Sequence, residues 1–114
     1  MHELAIAESI LDLVLRTARA NGATTVVTAR IRIGAGSCLN PDSLAFGFEA
    51  LATGTPAAGC QLDIESMPAP VNCTSCGWTG ERMDVTELEC PRCRANPLRI
   101  TGGRELTVET ITVE

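Results

Sequence analysis

The sequence predicts an α+β chain: two helices on a small three-stranded mixed sheet, interrupted by a zinc-ribbon-like insert on four cysteines. Three observations predict it. Apolar residues recur with helical period over residues 4–20 and again after Asn40. Three short stretches, 25–33, 60–66 and 104–113, read as strands. Two Cys-x-x-Cys pairs, Cys73 with Cys76 and Cys90 with Cys93, lie between the second and third strands.

In the first helix Leu4, Ala7, Leu11, Val14 and Ala18 follow the i, i+3, i+4 pattern, and Ile10, Leu13 and Leu15 widen the stripe. Asp12 and Arg16 have the spacing of an exposed ion pair. Asn21-Gly22 is a stop signal, since glycine enters the left-handed region without a Cβ clash. In the first strand Val27, Ala29, Ile31 and Ile33 alternate with Thr28, Arg30 and Arg32, so one face is buried and the other wet. Gly34-Ala35-Gly36-Ser37 breaks it.

Asn40-Pro41-Asp42 starts the second helix: Asn40 caps, Pro41 suits the first helical position, and Asp42 favours the positive end of the dipole. Leu44, Phe48 and Leu51 share its apolar face, and it ends near Thr53-Gly54-Thr55-Pro56. Leu62 and Ile64 line one face of the second strand. Met67-Pro68-Ala69-Pro70 reads as a loop leading into the cysteine module. The third strand changes phase, from Leu106 and Val108 to Ile111 and Val113, which suggests a bulge or an exposed partner-binding edge.

A right-handed crossover through the second helix makes the first two strands parallel. The third returns to the same sheet. The expected division is residues 1–66 with 103–114 as an α/β domain, and 67–102 as the metal module.

Hydrophobic residues make up 45% of the 114 residues and aromatics only 3%, so the core is aliphatic. The net charge is −5, and zinc on four thiolates takes it to about −7. That balance argues against nucleic acid, whose phosphates want a basic face. The start, Met-His-Glu, has no basic signal-peptide region, and no run is long enough to span a bilayer. A soluble cytoplasmic protein is expected, a monomer or weak homodimer, and in that compartment paired cysteines read as metal ligands rather than disulfides.

Thirteen residues separate the two Cys-x-x-Cys pairs. Each pair presents two sulfurs from one tight knuckle, and two knuckles close a tetrahedral shell around zinc with no open position. The site is therefore structural, with one ion per chain. Gly77 follows the first knuckle, and Arg94 holds the matching place after the second. Trp78 is expected to pack on the module. Cys38 and Cys60, outside the pattern, read as buried, inert thiols.

His2 is the sole histidine. Met1 is expected to stay, because its removal is unfavourable before a bulky residue. The terminus then offers an α-amine, a backbone amide nitrogen and the His2 imidazole in one short chelate, with the Glu3 carboxylate next. Nitrogen and oxygen ligands in a square plane suit Ni(II) or Cu(II). A surface histidine with no metal is the competing reading. His2-Glu3 does not continue into a zinc-protease motif, since Ile6 stands where the second histidine belongs. The deaminase signature fails too: His2 and Glu3 are adjacent and Pro91 lies inside its knuckle.

Met1-His2-Glu3, Ile33-Gly34, Ser37, Pro41, Leu44, Phe46, Phe48, Gly54-Thr55, the four cysteines and Gly102-Gly103-Arg104-Glu105-Leu106 together resemble the HypA/HybF family of hydrogenase-maturation nickel chaperones, over essentially the whole length. The resemblance implies Ni(II) as transient cargo at His2, with the N-terminal backbone of Met1 and Glu3 nearby. It implies Zn(II) on Cys73, Cys76, Cys90 and Cys93, a HypB-type GTPase partner, and a nickel-iron hydrogenase large subunit as recipient. It makes residues 1–66 and 103–114 the nickel-binding domain, and the protein a carrier rather than an enzyme. Gly36, Leu39 and Arg94 depart from the family's usual residues at their positions. The alternatives are a zinc-ribbon adaptor without nickel transfer, delivery to urease, and a redox switch on Cys38 or Cys60.

Overall fold

The computed structural model describes the chain from His2 to Glu114; Met1 and the His2 side chain lie outside the described residues. The elements run α1 (His2–Ala20), β1 (Val26–Gly34), a 3-10 turn (Ala35–Ser37), α2 (Pro41–Ala52), β2 (Gln61–Met67), β3 (Ala69–Asn72), β4 (Thr79–Arg82), β5 (Arg99–Ile100) and β6 (Leu106–Val113). Two compact units divide them. The first runs to Ile31 and takes in Leu39–Glu65 and Thr107–Glu114; the second holds Arg32–Cys38 and Ser66–Leu106.

In the first unit α1 buries Ala7, Ile10, Val14 and Ala18. Leu4 and Leu13, expected on this stripe, are 44% and 36% exposed, which narrows it. Asp12 and Arg16 pair at 3.0 Å, both well exposed, so the bridge contributes little. At the C-terminus the N–H of Ala23 reaches the Ala18 carbonyl (2.9 Å) and that of Gly22 the Arg19 carbonyl (3.1 Å). This is a Schellman closure, with Gly22 at φ +64°.

Asn40 caps α2 as its sequence implies: its side-chain oxygen accepts from the Ser43 N–H at 3.0 Å. Leu44, Gly47, Phe48 and Ala52 are buried. A Cβ on Gly47 would lie 3.4 Å from Leu4 Cδ1, so this glycine lets the two helices approach. Phe48, Leu44, Ile31, Val14 and Val26 are the large fully buried side chains here, each contributing about 1.5–3 kcal/mol through burial.

The larger sheet has the order β2-β1-β6. Thr25 and Glu114 exchange both backbone hydrogen bonds (2.8 and 3.0 Å), and the Gly34 N–H reaches the Glu105 carbonyl at 2.9 Å. β6 therefore runs antiparallel to β1, and the two spans are equal in length. That corrects the expected bulge, which would insert a residue into one strand. With side chains alternating, Leu106 and Val108 face Ile33 and Ile31 on one side of the sheet, and Ile111 and Val113 face Thr28 and Val26 on the other. The phase shift is one edge strand serving the two faces in succession. It also explains why Val26, out of phase with Ala29, Ile31 and Ile33, is buried.

The second unit contains a sheet the sequence reading missed, β4-β3-β5 from edge to edge. Residues 69–72, read as part of a proline loop and the module's entry, form its central strand. Ala69 to Asn72 pair with Arg82 to Thr79, and Val71 and Asn72 pair with Ile100 and Arg99. Pro70 is tolerated because its carbonyl, accepting from Thr101 at 2.9 Å, points toward β5. Its missing N–H thus takes nothing from the ladder with β4. The 3-10 turn joins this unit by backbone contact: a Cβ on Gly34 would meet the Gly103 oxygen at 2.1 Å, and one on Gly36 the Gly102 oxygen at 2.3 Å. No helix of the described residues is long and apolar enough to cross a membrane.

Candidate metal centre

The two knuckles are built alike. The Gly77 N–H returns to the Cys73 carbonyl and the Arg94 N–H to the Cys90 carbonyl, both at 2.9 Å. The Cys73 N–H reaches the Trp78 carbonyl at 2.7 Å and the Cys90 N–H the Ala95 carbonyl at 2.8 Å. Closing each knuckle requires a left-handed residue, Gly77 at φ +80° and Arg94 at φ +65°. Arginine adopts this region with a Cβ clash that glycine avoids, a strain of roughly 1 kcal/mol.

All four sulfurs lie within 4.8 Å of one another. Two sulfur–sulfur contacts cross between knuckles: Cys73 to Cys93 is 3.5 Å and Cys76 to Cys90 is 3.7 Å. A tetrahedron with bonds of about 2.3 Å has edges of about 3.8 Å, so the span encloses a single thiolate-bound ion such as zinc. Cys73 and Cys90 are buried among Val71 and Leu98, and Cys76, Trp78, Leu88, Ala95 and Ile100 pack against that cluster. The indole of Trp78 lies over Gly80, where a Cβ would stand 2.3 Å from the ring, and the Arg82 guanidinium sits 5.1 Å from its centroid.

The thiols are not equivalent. The Cys76 N–H, 3.4 Å from the Cys73 sulfur, is the main cause holding Cys73 down at about 6. The Ser75 N–H and the thiols of Cys93 and Cys76 act with it, against burial. For Cys90, burial raises the thiol, but the N–H groups of Cys93 and Arg92 and the neighbouring thiols bring it below its ordinary value. For Cys93 the Ala95 N–H lowers the thiol, yet hydrogen bonds among the thiols and burial push it up to about 12. Four thiolates repel at this spacing, so without a cation the cluster keeps protons that an ion displaces.

At the other candidate site, the Glu3 carboxylate accepts a hydrogen bond from the Asn40 backbone N–H at 3.2 Å. The sequence reading set Glu3 beside the metal and gave no partner to it. Met1 and the His2 side chain fall outside the described residues. Cys38 is exposed at φ +59°, and Cys60 is half-buried, which corrects the expectation of two buried thiols. The thiol of Cys60 is raised by burial and by the Asp63 carboxylate.

Residues 1–113 match the family model described as "Hydrogenase/urease nickel incorporation, metallochaperone, hypA". A hydrogenase maturation factor HypA from Chlorobium limicola is 41% identical, with all of this chain and 97% of the relative covered. That from Methanopyrus kandleri is 34% identical, with all of this chain and 94% of the relative covered. The fold matches the solution structure of the Ni metallochaperone HypA from Helicobacter pylori at TM-score 0.63 and 20% identity, covering 97% of this chain and 96% of that one. On these matches, the chain belongs to the HypA family of hydrogenase/urease nickel-incorporation metallochaperones.

Proposed function

We propose that this protein binds Ni(II) at Met1, His2 and Glu3 and hands it on during maturation of a nickel-iron hydrogenase, while zinc on Cys73, Cys76, Cys90 and Cys93 shapes the second unit. The observation that carries the nickel reading is the start of α1 at His2. The first four N–H groups of a helix have no intrahelical partner. A backbone amide nitrogen there can lose its proton to a metal without breaking a helical bond. Together with the α-amine and the His2 imidazole it supplies a nitrogen-rich square plane, the geometry Ni(II) favours. The positive end of the helix dipole opposes a cation by about 0.3–1 kcal/mol, which suits a carrier that must release its cargo. The Glu3 carboxylate, bonded to Asn40, holds the segment against the cap of α2.

Zinc is the resident ion because sulfur spacing and an all-thiolate set fit it. When bound it crosslinks two loops, and no open position is left for substrate. The protein acts by binding and transfer in the cytoplasm, with a HypB-type GTPase as partner and a hydrogenase large subunit as recipient. Residues 1–66 with 103–114 form its nickel-binding domain and 67–102 its zinc module.

Calorimetric nickel titration of tag-free, zinc-loaded protein beside His2→Ala tests the nickel site. One nickel per chain, lost in the variant with zinc retained, is the expected result. Equal nickel affinity in both would remove the N-terminus from the mechanism and leave a zinc-stabilised adaptor.

A further inference from the structure

The second unit carries a groove of about 610 Å³ beside β5, with no cysteine in its lining. Its lining includes Asn72, Leu88, Leu98, Arg99, Ile100 and Arg104. No aspartate or glutamate lines it, in a chain with 14 acidic residues against 9 arginines. Arg99 and Arg104 are exposed and, among the described residues, neither forms an ion pair. Arg94, in the same unit, is by contrast paired with Glu89 at 3.2 Å.

Two further features narrow the occupant. Asn72 and Arg99 are cross-strand partners, so their side chains share one face of the small sheet. The side-chain oxygen of Asn72 is buried and has no hydrogen-bond partner. β5 is an edge strand; Thr101, just past its end, bonds inward to Pro70, while Ile100 presents its backbone outward with no partner among the described residues.

We propose that this groove docks an extended acidic segment of a partner protein. The guanidiniums call for carboxylates, which they bind in a two-pronged geometry. The Asn72 oxygen and the Ile100 carbonyl call for N–H donors. A simple anion answers the first demand alone. A peptide answers both: backbone N–H groups along the edge strand, and acidic side chains on the Arg99 face. The inference rests on the second unit and stands whether or not nickel binds at His2.

The test is a titration of zinc-loaded full-length protein, followed by amide NMR. The probes are a glutamate-rich decapeptide, its glutamine counterpart, and inorganic phosphate. The glutamate peptide is expected to bind saturably, moving the amides of Asn72 and residues 98–104. The glutamine peptide, and the double variant Arg99→Gln/Arg104→Gln, should each lose about tenfold or more in affinity. Equal binding of the two peptides, shifts confined to other residues, or phosphate binding as tightly as the peptide would overturn the proposal. Both arginines are exposed, so the variant should keep its zinc and Trp78 emission. If it does not, the comparison of the two peptides on unaltered protein decides.

Discussion

Glu3 and Asn40 join the beginnings of the two helices: the carboxylate of one accepts the backbone N–H of the other at 3.2 Å. Asn40 simultaneously caps α2 through its side chain. One residue thus fixes the start of α2 and the first turn of α1, from which the proposed nickel ligands extend.

Glu3→Ala should remove this tie and lower stability by about 0.5–1.5 kcal/mol, read from urea unfolding. Glu3→Gln keeps an acceptor and should lose less. Asn40→Ala removes the cap, at about 1 kcal/mol, and leaves the Asn40 N–H in place. If Glu3 only anchors the segment, nickel affinity falls several-fold in Glu3→Ala and recovers in Glu3→Gln. Abolition of binding in both variants would instead make the carboxylate a direct ligand.

The left-handed Arg94 predicts a stabilising substitution. Arg94→Gly relieves the Cβ clash, and the second unit should gain about 1 kcal/mol. The loss of the exposed Arg94–Glu89 pair offsets this only slightly. Gly77→Ala, at the equivalent place in the first knuckle, should lose a similar amount. Trp78 emission during competition with a zinc chelator reports both. A destabilised Arg94→Gly would mean that the arginine side chain contributes more than the strain it carries.

Zinc uptake should release protons. Cys73, held at about 6, is already largely thiolate at neutral pH, whereas Cys93, pushed up to about 12, keeps its proton until an ion replaces it. Affinity should therefore fall as pH is lowered, and more steeply once Cys73 also takes up a proton below about 6. Calorimetry in buffers of different ionisation enthalpy counts the protons. Cys76→Ala should lose the ion and unfold the knuckles, since zinc binding contributes directly to folding. Zinc uptake with no proton released would contradict a Cys93 that keeps its proton until the ion arrives.

Cys60 gives a prediction with the opposite sign. Burial and Asp63 raise its thiol above the ordinary value of 9.0, so the neutral form is favoured in the folded protein. The stability this confers is present below the unfolded value and lost as pH rises through the folded one. Site-resolved mass spectrometry of iodoacetamide labelling should place the midpoint for Cys60 above 9.0 in the folded protein. It should drop on unfolding in urea, and drop partly in Asp63→Asn. A midpoint unchanged by unfolding would rule this out.

Short-range chemistry was legible in the sequence. The Asn40 cap, the Asn21-Gly22 stop, the Asp12–Arg16 pair and the paired cysteines each act within a few residues, so their partners can be read from spacing alone. The family, too, rests on such local signatures. The tertiary structure decided what depends on segments far apart in the chain meeting. It paired β6 with β1 in equal register, which turned an apparent bulge into a strand serving two faces. It made a central strand of a proline-rich stretch, because β5 ends where the Pro70 N–H would have been needed. It set Gly34 and Gly36 against the backbone of Gly102 and Gly103, and it brought Glu3 to Asn40. Spacing within a segment determines its own turns and caps, but hydrogen bonds and packing between distant segments are settled only when the folded chain selects one register among many.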